Sequence, residues 1–425
     1  MLQNGYHQRV GRDGRTVGRG HCGTFRPAPF VWCGSQDTPK DLPQLSAQQA
    51  DTVSVIRLLA TFAVHKNPAL HWRQRLALTF LQAQRTTFPN RHLRWLVRRV
   101  STAEAITEHC RKNKIPHRTV VLKDPSTAPS AAELSIPAPT LHFLTPAAAP
   151  QDGNGTGPTL VYFHGGGFVN PLRGAAHMPF IMQCAASSRA SQVVVLEYAL
   201  APEHPYPAQL IQCVATVRHL LEEANLQPGD LILAGDSAGG QLVGAVLAHL
   251  VQPSPYVPPL KVDGQFRAAL LVSPFVRLAT TDDFGTYQTN DGRDYLNRPQ
   301  VDAFGDAWQG NGDEIWANLG GTAAAGEVWP KVFDDGPRGL VRKTLITVGT
   351  AEIFLGCCRD FAREYARAET VVGTQGTDWR ALLEGKERVL AECDGEAHVQ
   401  VALDSAVGYN KGSMGAAITS WLDLV

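Results

Sequence analysis

Leu160-Val161-Tyr162-Phe163-His164-Gly165-Gly166-Gly167-Phe168 and Leu231-Ile232-Leu233-Ala234-Gly235-Asp236-Ser237-Ala238-Gly239-Gly240 decide how this chain is read. Each is a continuous apolar run that ends in glycines. Continuous apolarity, as opposed to alternation, marks strands buried on both faces, as in parallel sheets. Val193-Val194-Val195-Leu196 and Ala268-Ala269-Leu270-Leu271-Val272 repeat the pattern. Helical segments around 175–190, 208–224 and 238–251 separate the runs. This alternation predicts an α/β fold on a mainly parallel sheet.

The second segment has a strand, a sharp turn and a helix, the context that Gly-x-Ser-x-Gly requires. Leu231–Ala234 supplies the strand, and Leu242, Val243, Val246, Leu247 and Leu250 give an amphipathic helix. Ser237 then stands at the helix N-terminus, at the positive end of its dipole. A glycine-rich β–α turn with an incidental serine is the plainer reading. The His164-Gly165-Gly166-Gly167 run upstream weighs against it. Glycines there let backbone N–H groups approach a developing oxyanion, each donor being worth about 2.7–4 kcal/mol. Gly165 and Gly166 are assigned as donors, with the amide of Ala238 after the serine. His164, Gly167 and Asp236 are supporting residues, His164 as a brace for the loop. The Lys-Ser/Thr ending of a phosphate-binding loop is absent, so a nucleotide cradle is set aside.

A serine needs a base, and the base needs an orienting carboxylate. On such an elbow the acid and then the base follow the serine in the chain. His249 lies inside the elbow helix. His398, in Cys393-Asp394-Gly395-Glu396-Ala397-His398, follows the last apolar run and is the assigned base. Leu345–Gly349 is the preceding strand and leads to Glu352, the assigned acid. Asp360 and Glu364 lie on the next helix and are less well placed, and Glu203 reads as structural.

Around this core, residues 1–45 read as an unstructured tail and 46–115 as helical, with Leu76, Leu78, Phe80 and Leu81 at helical spacing. Leu93, Trp95, Leu96 and Val100 sit among Arg91, Arg94, Arg98 and Arg99, a solvated basic face more readily than a membrane contact. Thr119–Leu122 and Thr140–Leu144 read as short strands. Residues 277–340 break the rhythm, with helical pieces near 299–310, and read as an insertion over the carboxyl edge of the sheet. Leu345–Val348, a helix near 354–368, Val389–Ala391 and a helix over 411–424 complete the pattern.

The chain has 425 residues, 44% hydrophobic and 18% charged, with 39 basic and 39 acidic side chains. That balance speaks against nucleic acid as a partner. The eight cysteines form no C-x-x-C pair, so no zinc or other metal site is expected. Cys357-Cys358 read as two reduced thiols on a helix. No apolar leader or run of about 18 apolar residues is seen, so a cytoplasmic protein without a transmembrane segment is expected. Asn154-Gly155-Thr156 then reads as an idle glycosylation sequon.

His-Gly-Gly-Gly, Gly-Asp-Ser-Ala-Gly-Gly and Tyr198-Ala-Leu-Ala-Pro-Glu-His-Pro-Tyr-Pro-Ala208 resemble the hormone-sensitive-lipase-like family of α/β-hydrolase esterases, and the elaborations resemble fungal members. The resemblance covers roughly 115–425. It implies an α/β-hydrolase fold, here with an eight-stranded, mainly parallel sheet flanked by helices. It places a helical cap at 46–115 over a catalytic domain at 116–425. It also implies hydrolysis of a small-molecule acyl substrate through an acyl-enzyme, without a cofactor. Two departures stand out. The family's acid is usually Asp in D-x-L-x-D, where this chain has Glu352-Ile353-Phe354-Leu355-Gly356. Residues 369–387 form an extra loop between the acid's helix and the base's strand.

Three readings follow. The first is a serine carboxylesterase. The second is a natural-product pathway enzyme that uses the same site for acyl transfer, thioester release or cyclisation. The third is a ligand-binding receptor without catalysis, as the family's gibberellin receptors are. The retained Ser237 and His398 weigh against the third. A homodimer through an edge strand or the cap stays open.

Overall fold

The computed structural model describes residues 69–87, 100–122, 134–147, 157–278, 284–334, 336 and 338–425. The tail 1–45, the basic stretch Arg91–Arg99 and the sequon at Asn154 lie outside these residues.

Among the described residues nine strands form one sheet: β1 His117–Val121, β2 Thr140–Leu144, β3 Thr159–Phe163, β4 Gln192–Glu197, β5 Leu231–Asp236, β6 Phe266–Val272, β7 Val341–Gly349, β8 Glu369–Gly373 and β9 Arg388–Cys393. Their order is β1-β2-β4-β3-β5-β6-β7-β9-β8. β1 and β2 run antiparallel to their neighbours, and every pairing from β4 to β8 is parallel. The strand count of eight expected from the sequence is therefore raised by one. The additional strand, β8, lies in the segment read as a loop. Its side chains are mostly exposed because it is the sheet's edge, so it lacks the apolar run that identifies the central strands.

Side chains alternate between the two faces, as the strand period of two requires. On β3, Val161 and Phe163 join the core on one face, with residues of the helix Ala238–Val251. Leu160 and Tyr162 join the other, with the helices His177–Ser187 and Ser413–Leu422. Tyr162 pairs in register with Ala234, so it shares a face with Asp236 at the end of β5. The cysteines of the described residues, Cys357 and Cys358 included, are buried and free. Among the described residues no helix is long and apolar enough to cross a membrane.

The helix Trp72–Thr87 packs on the helix Gln400–Ala406. Its expected apolar face divides. Leu78 enters the core with Leu70 and Ala397, whereas Leu76, Phe80 and Leu81 turn to the cavity described below. The seam is polar as well. Gln74 donates to Asp404 Oδ2 at 2.9 Å, and Gln400 donates to Oδ1 at 2.8 Å. Nearby, burial raises the Glu396 carboxyl to about 7, against the amides of Ser413 and Met414 at a helix start, which favour its charged form. Burial, and then the charge of Glu396, push the Asp404 carboxyl well above its ordinary value.

A carboxyl whose folded value is raised binds its proton more tightly when folded. Its contribution is therefore full at low pH and is lost as pH rises from the ordinary carboxylate range through the raised value. Asp404→Asn mimics the protonated form. Relative to wild type, the variant is expected to gain stability from pH 5 to about pH 8 and to level off above it. Urea unfolding midpoints across that range check it, and a pH-independent difference would refute the assignment.

Candidate active site

The elbow is built by close packing. β5 is buried along its whole length. Ser237 follows it at φ 52°, ψ −116°, and the helix Ala238–Val251 begins at once. A non-glycine residue held at positive φ costs on the order of 1–3 kcal/mol and persists only when its surroundings fix it. Here the Ser237 amide donates to Val272 O at 2.8 Å, and its carbonyl accepts from Phe275 N at 3.1 Å. Gly239 is required by contact, since a Cβ on it would lie 1.9 Å from Phe163 O.

Asp236 joins this elbow to the glycine loop. Its Oδ1 accepts the Tyr162 hydroxyl at 2.7 Å and the Gly165 amide at 2.9 Å. Its Oδ2 lies 3.3 Å from His177 Nε2. Burial opposes the charge, but His177, Tyr162 and the Gly165 amide outweigh it and hold the carboxyl below its ordinary value. His164 is fully buried, and its ring stacks on Tyr198 at 4.3 Å. Tyr198 donates to His164 O at 2.7 Å. Burial drives the His164 imidazole down to about 4, which fits a neutral brace.

The reading of Gly165 as an oxyanion donor is corrected. Its amide is committed to Asp236, and a Cβ there would lie 2.2 Å from Asp236 Oδ2. Gly166 and Gly167, at φ +126° and +62°, line the cavity together with Ser237 and Ala238. Gly165 is the clamp's residue, and Gly167 replaces it beside the serine. The sequence pattern makes all three glycines equivalent, so only the position of the Asp236 side chain separates them.

Ser237, His398 and Glu352 converge from three loops at the carboxyl edge of the sheet. His398 Nε2 lies 2.9 Å from Ser237 Oγ. Its Nδ1 lies 3.4 Å from Glu352 Oε1. Glu352 Oε2 accepts the Ser273 hydroxyl at 2.7 Å and the Gly349 amide at 2.9 Å. Ser273 Oγ in turn accepts the Val399 amide at 3.1 Å. Burial opposes protonation of His398, but hydrogen bonding and charge from Glu352, then Asp294 and Asp236, prevail and raise it above its ordinary value. The other carboxylates and His249 lie elsewhere. Asp360 pairs with Arg277 at 3.8 Å, Glu364 pairs with Arg363, and His249 accepts the Ser254 amide at 3.0 Å. Ser273, Tyr162, His177 and Asp294 were not singled out from the sequence. They act through atoms that only the fold brings together.

A cavity of about 690 Å³ opens over Ser237. Leu76 and Phe80 of the helix Trp72–Thr87 form one wall, and Val301, Phe304 and Trp308 of the helix Arg298–Trp308 form another. Trp308 stacks on Phe168 at 3.8 Å, fixing the end of the glycine loop against the insertion. Among the described residues no cluster of three His, Cys, Asp or Glu side chains is arranged to hold a metal ion. The arrangement brings a half-buried hydroxyl, an imidazole in contact with it, and backbone amides beside an apolar chamber, a set that could carry nucleophilic chemistry.

A family model for the alpha/beta hydrolase fold matches residues 160–376. A probable carboxylesterase 6 of Arabidopsis thaliana is 36% identical over 126 residues, covering 28% of this chain and 35% of that protein. Carboxylesterase NlhH of Mycobacterium tuberculosis is 42% identical over 99 residues, covering 22% of this chain and 30% of that one. The matched regions thus span about a third of those relatives. Carboxyl esterase 2 of the mycorrhizal fungus Tuber melanosporum shares the fold with a TM-score of 0.54 at 20% identity, covering 73% of this chain and 87% of that structure.

Asp236→Ala would leave the Tyr162 hydroxyl, the Gly165 amide and His177 facing a void. Breaking a buried, charge-assisted cluster costs about 3–5 kcal/mol. Because the Asp236 carboxyl is depressed, its contribution is present at neutral pH and lost only as pH falls through that lowered value. Chemical denaturation at pH 7 is expected to show the loss, and an unchanged midpoint would dismiss the clamp.

Proposed function

The chain belongs to the alpha/beta hydrolase family, and on that premise we propose that it is a serine carboxylesterase acting on a small, largely apolar acyl ester. The carrying observation is the 2.9 Å contact between Ser237 Oγ and His398 Nε2 at the floor of an apolar cavity. The carboxylesterase names of the partial sequence relatives support the same reading.

In this reading Ser237 Oγ attacks the ester carbonyl carbon as its proton passes to His398 Nε2. Glu352 holds Nδ1–H and stabilises the imidazolium. The carbonyl π electrons move to oxygen, and the resulting oxyanion takes hydrogen bonds from the amides of Gly166, Gly167 and Ala238. Collapse breaks the bond to the alcohol, which leaves with the proton from His398. Water then attacks the acyl-enzyme, giving its proton to His398, and release of the acid returns that proton to Ser237. Glu352 suits this role despite its extra methylene. Ser273 and Gly349 occupy one carboxylate oxygen and leave the other to the imidazole.

Ser237→Ala is expected to lower kcat on p-nitrophenyl butyrate by about 10³- to 10⁶-fold without unfolding the protein. It should also abolish covalent labelling by a fluorophosphonate. Full hydrolysis by the variant would end the proposal.

The base works only when neutral, and its neighbours raise the pH at which it loses its proton. Wild-type kcat/KM should therefore fall on the acid side of neutrality, beginning above the ordinary histidine value. A profile flat from pH 5 to pH 8 would contradict His398 as the base.

A further inference from the structure

The segment 286–296, between β6 and β7, is hydrogen-bonded to the turns that carry Glu352 and His398. Asp294 is fully buried there, and its carboxylate accepts backbone amides from three places. Oδ1 takes Tyr295 N at 2.7 Å and Leu296 N at 3.3 Å from its own segment, and His398 N at 3.3 Å. Oδ2 takes Ile353 N at 2.9 Å, the amide that follows Glu352. Asn290, one turn earlier and also buried, donates Nδ2 to Glu352 O at 2.8 Å and to Thr350 O at 3.2 Å. Thr286 completes the seam by donating to Ile353 O at 2.8 Å.

We propose that Asp294 and Asn290 are positioning residues for the acid and the base. Asp294 ties the backbone of His398 to the turn that carries Glu352, and its charge adds to that of Glu352 around the imidazole. Asn290 fixes the same turn through its carbonyls. The inference rests on the serine-hydrolase reading of the site.

The need for such a device follows from the length of the Glu352 side chain. A glutamate has one more rotatable bond than aspartate, so its carboxylate is placed less tightly by its own backbone. The 3.4 Å separation from His398 Nδ1 is long for a charge-assisted bond, so small shifts of either turn change it steeply. Fixing residues 350–353 and 398 to two buried side chains of one segment, Asn290 and Asp294, limits those shifts. Leu296, two residues past Asp294, lines the cavity, so the same segment meets the substrate space. Gln82 of the helix Trp72–Thr87 holds that segment from above, donating to Gly292 O at 2.8 Å and Asp294 O at 3.0 Å.

The charge has a separate consequence. The groups facing His398 are Glu352 from the turn after β7, Asp294 and the ring of Tyr295, centroids 5.9 Å apart, from the segment between β6 and β7, and Asp236 with the Ser237 hydroxyl from the elbow. All three carboxylates favour the imidazolium. Burial pushes the Asp294 carboxyl up to about 6 against the pull of His398, so it is charged where the base works near neutrality. Removing that charge makes the imidazolium easier to deprotonate, and the neutral base then survives to lower pH.

The test uses the full chain with p-nitrophenyl butyrate from pH 5 to pH 9. Asp294→Asn is expected to lower kcat about 10- to 100-fold, the scale of an ångström-level misplacement. KM should stay within about twofold, as for an interaction made in the transition state. The acid limb of kcat/KM should move to lower pH. A loss of activity with the limb unmoved would overturn the role of Asp294, since a merely structural defect does not change the titration of the base. Asn290→Ala removes no charge and keeps the idea testable if Asp294→Asn does not fold. It is expected to lower kcat with the limb in place, and wild-type kcat would overturn its positioning role. Stoichiometric fluorophosphonate labelling of Ser237 in the wild type separates the two levels. No labelling defeats the serine-hydrolase reading itself, whereas labelling with an unmoved Asp294→Asn limb defeats the Asp294 inference alone.

Discussion

The contact between the Asp236 carboxylate and the Gly165 amide is the constraint on which the rest of the site depends. β3 and β5 are adjacent parallel strands, so their ends reach the same edge of the sheet. Parallel pairing alone brings the two loops near one another but does not orient them. The carboxylate does so, because it takes the first amide of the glycine loop while standing one residue before the serine. Tyr162 and His177 then compensate a buried charge that would otherwise be costly. With that anchor set, the next two glycines curve over the serine at positive φ. The Asp of Gly-Asp-Ser-Ala-Gly is thus as much a part of the loop as of the elbow.

The side that carries Glu352 and His398 is built differently. His398 and Glu352 sit on turns that follow separate strands, and no single contact orders both. Ser273 links Glu352 Oε2 to the Val399 amide, and Asp294 links the amides of Ile353 and His398. Each bridge spans the two turns through a buried polar atom. Such atoms are expensive unless every partner is in place, so the turns have little freedom to separate.

The legible part of this architecture is the part governed by local rules. Apolar runs on both sides of a glycine turn identified β3, β5 and the elbow, because a strand buried on both faces leaves an unbroken signal. Chain order pointed to Glu352 and His398, and the structure brings both to Ser237. β8 escaped because an edge strand with exposed side chains carries no such run. The choice among Gly165, Gly166 and Gly167 escaped because it depends on where a carboxylate seventy residues away, by rough count, lays its oxygen. Asp294 escaped for the same reason. In Asn290-Asp-Gly-Arg-Asp294 it looks like one more loop acid, and its distinction is a set of amides contributed by residues distant in the chain.

Those distant contributions bear on how the site selects a substrate. The helix Trp72–Thr87 sends Leu76 and Phe80 into the cavity and, from the same helix, Gln82 to the backbone at Gly292 and Asp294. The chain between β6 and β7 likewise lines the chamber with Leu296, Val301 and Phe304 while Asp294 and Asn290 hold the turns of Glu352 and His398. Wall and support are therefore the same pieces of chain. A wall substitution that shifts either segment alters the distance from His398 to Glu352 as well as the shape of the chamber. A change that enlarges the chamber without moving the backbone at 290–296 is the kind that leaves the acid–base geometry intact, because the four amides on Asp294 report backbone position and not side-chain volume.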